Sequence, residues 1–286
     1  MNYIIMDMEW NNSFNKATQK FMNEIIEIGA VKLDENLNQV DTFSELIKPV
    51  VSKKLRSRIK DLTHISNEDV KAGKSFKEVI REFENWIGED HLIMSWGDTD
   101  IRTLLTNYKW FMKKEQIDFI EKYADLQKYC QCFINMENIQ QAGLSYAAEC
   151  LEINPDDFPH HRALDDSLLS AECFKKVYDR EKLTEFIKIC DRDFYARLLF
   201  RPYVISNKND PLIDKSLFNC YCEVCGGKVK TVKKWKFTNQ SFRGVFHCEA
   251  CNREFRVNLR IKKFFDYIDI KRSSNEIIRT TETKTE

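Results

Sequence analysis

The sequence predicts an α/β protein followed by a small C-terminal domain that binds a metal. Strand-like runs alternate with helical patterns over roughly the first 180 residues. Two CxxC motifs lie close together near the end, and 286 residues exceed the usual length of one domain. We expect a large domain over residues 1–180, a helical extension and linker over 181–218, the small domain over 219–265, and a disordered tail over 273–286.

The elements of the large domain follow from local patterns. Three early segments have the apolar and β-branched density of strands: residues 3–9, 24–33 and 40–47. Ser75 and Glu78 form a capping-box signature that predicts the start of a helix, and residues 92–96 form a short apolar strand pattern. Helical spacing marks the later segments: residues 98–108, 125–133, 145–151, 164–178 and 181–200.

Charge and hydropathy restrict the class of protein. The 45 Lys and Arg residues balance the 45 Asp and Glu residues, so net charge gives no argument for a polyanionic partner. The amino terminus lacks the basic region and apolar run of a secretory signal, and no later stretch has the length of a membrane span. We therefore expect an intracellular, cytoplasmic protein without a membrane partner.

Four acidic residues and one histidine, in three distant segments, are the candidate catalytic residues: Asp7, Glu9, Asp100, His161 and Asp166. Residues two apart on a strand face the same side, so the first two carboxylates can share one cation. On one continuous helix, the histidine and the last aspartate would diverge by roughly 140°. We therefore place the histidine in a loop after Pro159 and the aspartate in the following helix. Hard divalent cations prefer such carboxylate oxygens.

Neighbouring carboxylates are rivals for two of these positions. Asp98 precedes Asp100 by two residues, and Asp165 precedes Asp166 by one. The spacing to Leu104 favours Asp100. Asp98 is instead expected to cap the following helix.

The three segments resemble the motifs of the DnaQ-like 3′-5′ exonucleases of the DEDDh type. The specific matches are HRALDD at residues 161–166 and WGDTD at 96–100. EIIEIGAV at 24–31 and LTHI at 62–65 are most similar to the KapD-like branch, which is similar to the histone-mRNA exonucleases. The resemblance covers about residues 1–180 and implies an RNase H-like exonuclease fold, with a mixed central sheet flanked by helices.

The resemblance also implies an activity. It assigns the four carboxylates to two Mg²⁺ or Mn²⁺ ions and makes His161 the general base. The reaction would release nucleoside 5′-monophosphates from the 3′ end of single-stranded nucleic acid. RNA is favoured by the resemblance, while single-stranded DNA and a non-catalytic nucleic-acid-binding adaptor remain alternatives.

Two departures from the family pattern lie where the terminal nucleotide would bind. WNN at residues 10–12 replaces a small or threonine-containing segment, and His64 stands where many relatives have glycine. We expect Met8 and Trp10 to contact substrate. Trp10 can either stack on a base or fill the core beneath its strand.

The small domain is predicted from four cysteines in two CxxC motifs: Cys222, Cys225, Cys248 and Cys251. Two such pairs are typical of a zinc ribbon, in which four thiolates surround one structural Zn²⁺. Cys220 and His247 are alternative ligands.

Basic and aromatic residues alternate between the two cysteine pairs. We expect four of them to contact substrate: Lys233, Lys234, Trp235 and Lys236. The aromatic side chains could instead form the small core of the ribbon, with the lysines in solvent. A third interpretation is that the ribbon binds a protein partner.

Overall fold

The computed structural model describes residues 1–17, 19–136, 140–158 and 161–277. The chain divides into two compact units, Met1–Leu199 and Phe200–Glu286. Within the described ranges, no helix is both long enough and apolar enough to span a bilayer.

The first unit is built on a six-stranded sheet with the strand order β3-β2-β1-β4-β5-β6. The strands are β1 (Asn2–Asn15), β2 (Lys20–Leu33), β3 (Gln39–Leu46), β4 (His91–Ser95), β5 (Lys122–Asp125) and β6 (Lys188–Ile189). Strands β1, β4 and β5 pair in parallel, whereas β2, β3 and β6 pair antiparallel to their neighbours. The predicted mixed sheet is confirmed, and β1 lies near its centre.

Nine α-helices accompany this sheet within the described residues. They are α1 (Ser57–Thr63), α2 (Asn67–Ala72), α3 (Phe76–Ile87), α4 (Thr99–Met112), α5 (Leu126–Cys130), α6 (Leu144–Cys150), α7 (Ala163–Lys176), α8 (Arg180–Thr184) and α9 (Arg192–Leu199). The predicted capping box opens α3, where the Ser75 N–H donates to the Glu78 carboxylate at 2.9 Å. Helices α1 and α2 were not predicted.

The apolar residues of β1 are buried on both faces of the sheet. Ile4, Met6 and Met8 pack with α3 and α4 in one cluster. Tyr3 and Ile5 pack in another cluster, with α5 and α7. Because successive side chains of a strand point to opposite faces, a continuous apolar run is the pattern of a strand covered on both sides. The first unit is therefore a sheet between two helical layers.

The predicted helix over residues 181–200 is wrong. The segment leaves α8, pairs as β6 with β5, and starts again as α9, whose first turn is capped by Asp191 through the Phe194 N–H at 2.8 Å. The break sends Leu183 to one helical layer and Leu198 to the other. Pairing at the sheet edge and packing on both faces outweighed the helical pattern.

The second unit is a five-stranded antiparallel sheet with the order β11-β10-β9-β8, in which β7 also pairs with β10. Its strands are β7 (Tyr203–Val204), β8 (Lys230–Thr238), β9 (Ser241–Cys248), β10 (Arg253–Lys263) and β11 (Ile268–Glu276). Residues 273–276 belong to β11, so the expected disordered tail does not begin at 273. Residues 278–286 of that expected tail lie outside the described residues.

Aromatic residues form the core of the second unit. The Trp235 ring packs against Phe218 and Phe246, and its Nε1 donates to the Phe218 carbonyl at 3.1 Å. Phe237 and Phe242 also pack together. These aromatic rings therefore form the core of the second unit, as the alternative interpretation of the sequence predicted.

Candidate active site

Carboxylates from β1 and α7 meet at one place. Ligand atoms of Asp7, Glu9 and Asp166 all lie within 4.8 Å of one another. Asp7 and Glu9 occupy alternate positions of β1, while Asp166 is in the first turn of α7. The three side chains are half-buried and come from segments more than 150 residues apart in the sequence.

A glycine on β2 allows α7 to approach this closely. Gly29 lies opposite Asp7 in the β1-β2 register, and a Cβ atom there would be 2.1 Å from the Leu164 backbone nitrogen. The Ser167 hydroxyl lies 3.1 Å from the Gly29 carbonyl oxygen and fixes the next turn of the helix. The start of α7 therefore rests directly on the strand beside the carboxylates.

We expect Gly29→Ala to displace α7 and lower both stability and activity. The new methyl group would overlap the helix backbone, which cannot rotate away, so the free energy of unfolding should fall by about 3 kcal/mol. Gly143→Ala is the matched control, because a Cβ atom at Gly143 meets nothing within 4 Å. Thermal unfolding of both variants checks this, and equal melting temperatures would contradict the close approach.

A buried ion pair fixes the loop that precedes α7. The Glu27 side chain is 1% exposed and accepts from Nε of Arg162 at 3.1 Å and from Nη2 at 2.5 Å. It also accepts from the Ala163 N–H at 3.2 Å. The bond to Glu27 raises the pKa of Arg162 above its usual value. We did not single out Glu27 from the sequence, although an acid within the apolar run EIIEIGAV was a signal.

Asn107 ties the segment that carries Asp100 to the strands of the site. The β1-β2 register shifts between Glu9 and Trp10, and the Ile25 N–H donates to the Asn107 side chain at 3.2 Å. The Asn107 amide donates in turn to the Asn23 carbonyl at 2.7 Å. This fully buried side chain holds α4 against the strands, and α4 carries Asp100 in its first turn.

Asp100 is buried beside the cluster without belonging to the 4.8 Å group. One of its oxygens, Oδ1, is buried and has no hydrogen-bond partner among the described residues. The rival Asp98 is half-buried and forms an ion pair with Arg102 at 2.7 Å. It occupies the N-cap position of α4, as predicted, but its side chain makes no capping hydrogen bond.

Burial and mutual repulsion raise the pKa values of these carboxyls. Burial is the largest cause for Asp7, followed by the charges of Asp100 and Asp166, and together they lift its pKa well above the usual range. Burial and then Asp166 raise the pKa of Glu9 to about 8, and burial raises that of Asp100 to about 7. Several half-buried carboxylates with an open acceptor oxygen suit a hard divalent cation, which would offset the repulsion.

These shifts predict how stability depends on pH and metal. The folded pKa of Glu9 lies above its ordinary 4.5, so the contribution of Glu9 to the stability of metal-free protein is fully present below that pH and is lost as pH rises towards 8. A cation at about 100 times its dissociation constant should raise the melting temperature at pH 8 by roughly 5–10 °C. Melting curves of zinc-loaded protein without added Mg²⁺ or Mn²⁺, and with Mn²⁺, check this, with Glu9→Gln as the control that flattens the response. A metal-free protein with equal melting temperatures at pH 5.5 and 8 would contradict it.

The remaining residues predicted for the active site differ in their exposure to solvent. His161 is exposed in the turn before α7, with a left-handed φ of 64°, while Pro159 lies outside the described residues. Met8 was expected to contact substrate, but its side chain is 2% exposed in the core. Trp10 is half-buried and packs against the same core. His64 is exposed at the end of α1 in a left-handed conformation.

A second cluster lies in the second unit. The four predicted cysteine sulfurs lie within 4.8 Å of one another, with 3.8 Å between Cys222 and Cys251 and 3.5 Å between Cys225 and Cys248. Four thiolates around Zn²⁺ at 2.3 Å in a tetrahedron are about 3.8 Å apart, so the donors fit this ion. Backbone N–H groups of Cys225 and Val224 lower the pKa of Cys222 to about 6.

The two alternative ligands lie outside this cluster. Cys220 instead accepts from Arg272 at 3.1 Å. His247 is paired across the strands with Glu254. The four-cysteine cluster therefore fits a zinc ribbon without them.

Known exonucleases are similar in sequence to the first unit. A model of the exonuclease family, RNase_T, matches residues 4–174. The probable 3′-5′ exonuclease KapD of Bacillus subtilis is 30% identical over 185 residues, which cover 64% of this chain and 87% of KapD. The PolC-type DNA polymerase III of Thermotoga petrophila is 26% identical over 93% of this chain, which spans about a fifth (21%) of that polymerase.

Solved structures show the same fold. The nuclease domain of 3′hExo, a DEDDh family member bound to rAMP, has a TM-score of 0.51 at 22% identity over 60% of this chain and 88% of that domain. Cell-death related nuclease 4 has a TM-score of 0.52 at 16% identity over 74% of this chain and 72% of that chain. The first unit has the RNase H-like exonuclease fold that we expected. From the match over residues 4–174 and the similarity to KapD, the chain belongs to the exonuclease family.

Proposed function

We propose that the protein is a metal-dependent 3′-5′ exonuclease that releases nucleoside 5′-monophosphates from single-stranded nucleic acid by a two-metal mechanism. One observation carries the proposal. Asp7, Glu9 and Asp166 converge within 4.8 Å, and the charge of the buried Asp100 is one of the causes that raise the pKa of Asp7. A solvated strand end would not need this concentration of half-buried negative charge.

Each residue has a role that its position supports. The four carboxylates would hold two Mg²⁺ or Mn²⁺ ions, which stabilise the charge on the attacking and leaving oxygens of a phosphodiester. His161 would take the proton from the attacking water, because a histidine side chain can exchange a proton near neutral pH and this one is exposed. The ion pair between Arg162 and Glu27 would position that histidine.

In the second unit, we propose that one Zn²⁺ is held by the four cysteines as a structural ion. All four donors are protein thiolates, which leaves no ligand position for a substrate. The zinc site would therefore support the fold of the ribbon and take no part in hydrolysis.

We favour RNA as the substrate. The motifs EIIEIGAV in β2 and LTHI at the end of α1 resemble the KapD-like branch, and a 3′-exonuclease that recognises a histone mRNA stem-loop has a similar fold, with a TM-score of 0.52. Single-stranded DNA is the alternative, supported by the match to a DNA polymerase III of the PolC type over 93% of this chain. A non-catalytic adaptor would not need three carboxylates within 4.8 Å of one another beside a buried fourth.

The test uses 5′-labelled RNA and DNA, each single- and double-stranded, with Mg²⁺ or Mn²⁺. We expect products shortened one nucleotide at a time from the 3′ end, and at least 10-fold faster shortening of single-stranded RNA than of DNA. Equal or faster cleavage of DNA would overturn the RNA preference alone. Tight binding with Mn²⁺ without any shortening would favour the adaptor.

A further inference from the structure

The sheet of the second unit has one face that does not contribute to its core. Along β9 and β10, one set of alternate residues is buried, including Phe242, Phe246, Val257 and Leu259. The intervening residues point to the opposite face. Because directly paired residues of antiparallel strands share a face, the strand register defines this second surface.

Positive charge dominates this surface, which we call the basic face. It carries six cationic residues in three adjacent cross-strand rows: Lys233, Lys236, Arg243, Arg256, Arg260 and Lys271. All are exposed except Arg243, which is half-buried. No described residue in these rows is acidic, and the acids Glu254 and Asp269 pair only in the rows at either end.

The central row places like charges side by side. Lys236 lies directly opposite Arg243, and like charges in that relation destabilise a sheet unless an anion lies between them. The Nε atom of Arg243 is buried without a hydrogen-bond partner among the described residues. The residue Arg243 lines a cavity of about 370 Å³ together with Arg256 and Asn258.

The open donors of this cavity suit an anionic oxygen. Glu276, at the edge of the cavity, is already paired with Arg253 at 2.8 Å. The nearby polar side chains of Ser273 and Asn275 can bond to either a phosphate or a sugar. The cavity therefore offers cationic and neutral donors to an acceptor from outside the chain.

We propose that the basic face binds the phosphate backbone of a nucleic-acid strand outside the active site. Charge complementarity favours this partner, since cations and neutral donors are the groups that contact phosphates and sugars. A protein partner would need exposed aromatic or aliphatic anchors, and Val245, the apolar residue in these rows, is buried. The strand is the substrate of the proposed exonuclease, which is the one point at which this inference depends on that function.

The basic face includes only some of the residues that the sequence predicted to contact substrate. Lys233 and Lys236 belong to the basic face, whereas Trp235 belongs to the core on the other side. Lys234 is exposed within the irregular part of β8 and has no assigned pair there. Arginines of β9 and β10, rather than Trp235, complete the basic face.

The test measures binding apart from cleavage. Zinc-loaded Asp7→Asn protein, without added Mg²⁺ or Mn²⁺, is titrated with a fluorescent 20-nucleotide single strand of RNA or DNA, between 50 and 200 mM KCl. If four phosphates are neutralised, affinity should fall about 50-fold across this range. Adding Lys236→Gln, Arg256→Gln and Arg260→Gln should weaken binding at least about 10-fold and make the salt slope shallower by about 2, since each contact contributes about 0.7.

The control removes the same charge from elsewhere in the second unit. Arg201→Gln, Lys208→Gln and Lys215→Gln alter exposed residues outside strands β8 to β11 and should leave affinity unchanged. Equal binding by both triple variants, or no binding of either strand by the parent protein, would overturn the proposal. In the catalytic background, the basic-face variant should raise KM for the 20-mer and leave hydrolysis of a trinucleotide intact. Loss of both would instead indicate damage to the active site.

Discussion

Asp166→Asn should lower kcat by roughly 10³-fold, because removal of one group that stabilises the charge of a transition state has an effect of about this size. The asparagine keeps the shape of the side chain and removes one of the charges that hold the cations. Asp166 lies within 4.8 Å of Asp7 and Glu9, so its charge is one that the proposed ions would need. Release of nucleoside 5′-monophosphate from a labelled single strand measures the effect.

The adjacent carboxylate provides a matched control. Asp165 lies one residue earlier on α7 and is outside the 4.8 Å group, so Asp165→Asn should keep activity within a few-fold of the parent. In zinc-loaded protein without Mg²⁺ or Mn²⁺ at pH 8, Asp166→Asn should melt at a higher temperature than the parent, because the Asp166 charge raises the pKa values of Asp7 and Glu9. Full activity of Asp166→Asn, or inactivity of Asp165→Asn, would contradict the assigned site.

Removal of zinc should unfold the second unit and leave the first folded. The sheet over residues 203–276 has small apolar clusters of about five buried residues each, and a structural Zn²⁺ contributes roughly 10–16 kcal/mol in small metal domains. Cys251→Ser removes one of four ligands and should have the same effect as a strong chelator. Amide hydrogen exchange of the full chain should show protection lost over β8 to β11 and kept over β1 to β4.

Cys220→Ser is the control, because Cys220 lies beside the cluster without joining it. It should bind one zinc per chain with protection unchanged. Persistent protection of β8 to β11 after complete removal of zinc would show that the ion is not structural. Cleavage of a trinucleotide should survive zinc removal in either case, since the exonuclease carboxylates belong to the other unit.

Much of the fold was predictable because the local signals agreed with the final packing. The apolar run of β1, the capping box at Ser75 and the helix carrying Asp100 all appear where the sequence indicated. The candidate carboxylates were predicted from their order along the chain, and three of them, Asp7, Glu9 and Asp166, meet within 4.8 Å. The two cysteine pairs were found by their spacing, and their sulfurs meet as that spacing implies.

The rest depended on contacts between distant segments. Residues 181–200 have a helical pattern, but the edge of β5 pairs with their centre and divides them. The support of α7 by Gly29 and Glu27 was not visible in the sequence, because neither residue neighbours the helix along the chain. The burial of the Met8 side chain was not predicted, because Met8 lies between two carboxylates of the site while its own side chain points into the core.

Anomalous diffraction from crystals grown with Mn²⁺ and a nucleoside 5′-monophosphate tests the central claim most directly. We predict two manganese peaks bound by Asp7, Glu9 and Asp166, with Asp100 completing the ligands. Manganese bound elsewhere, with these carboxylates left without an ion at saturating Mn²⁺, would contradict the account.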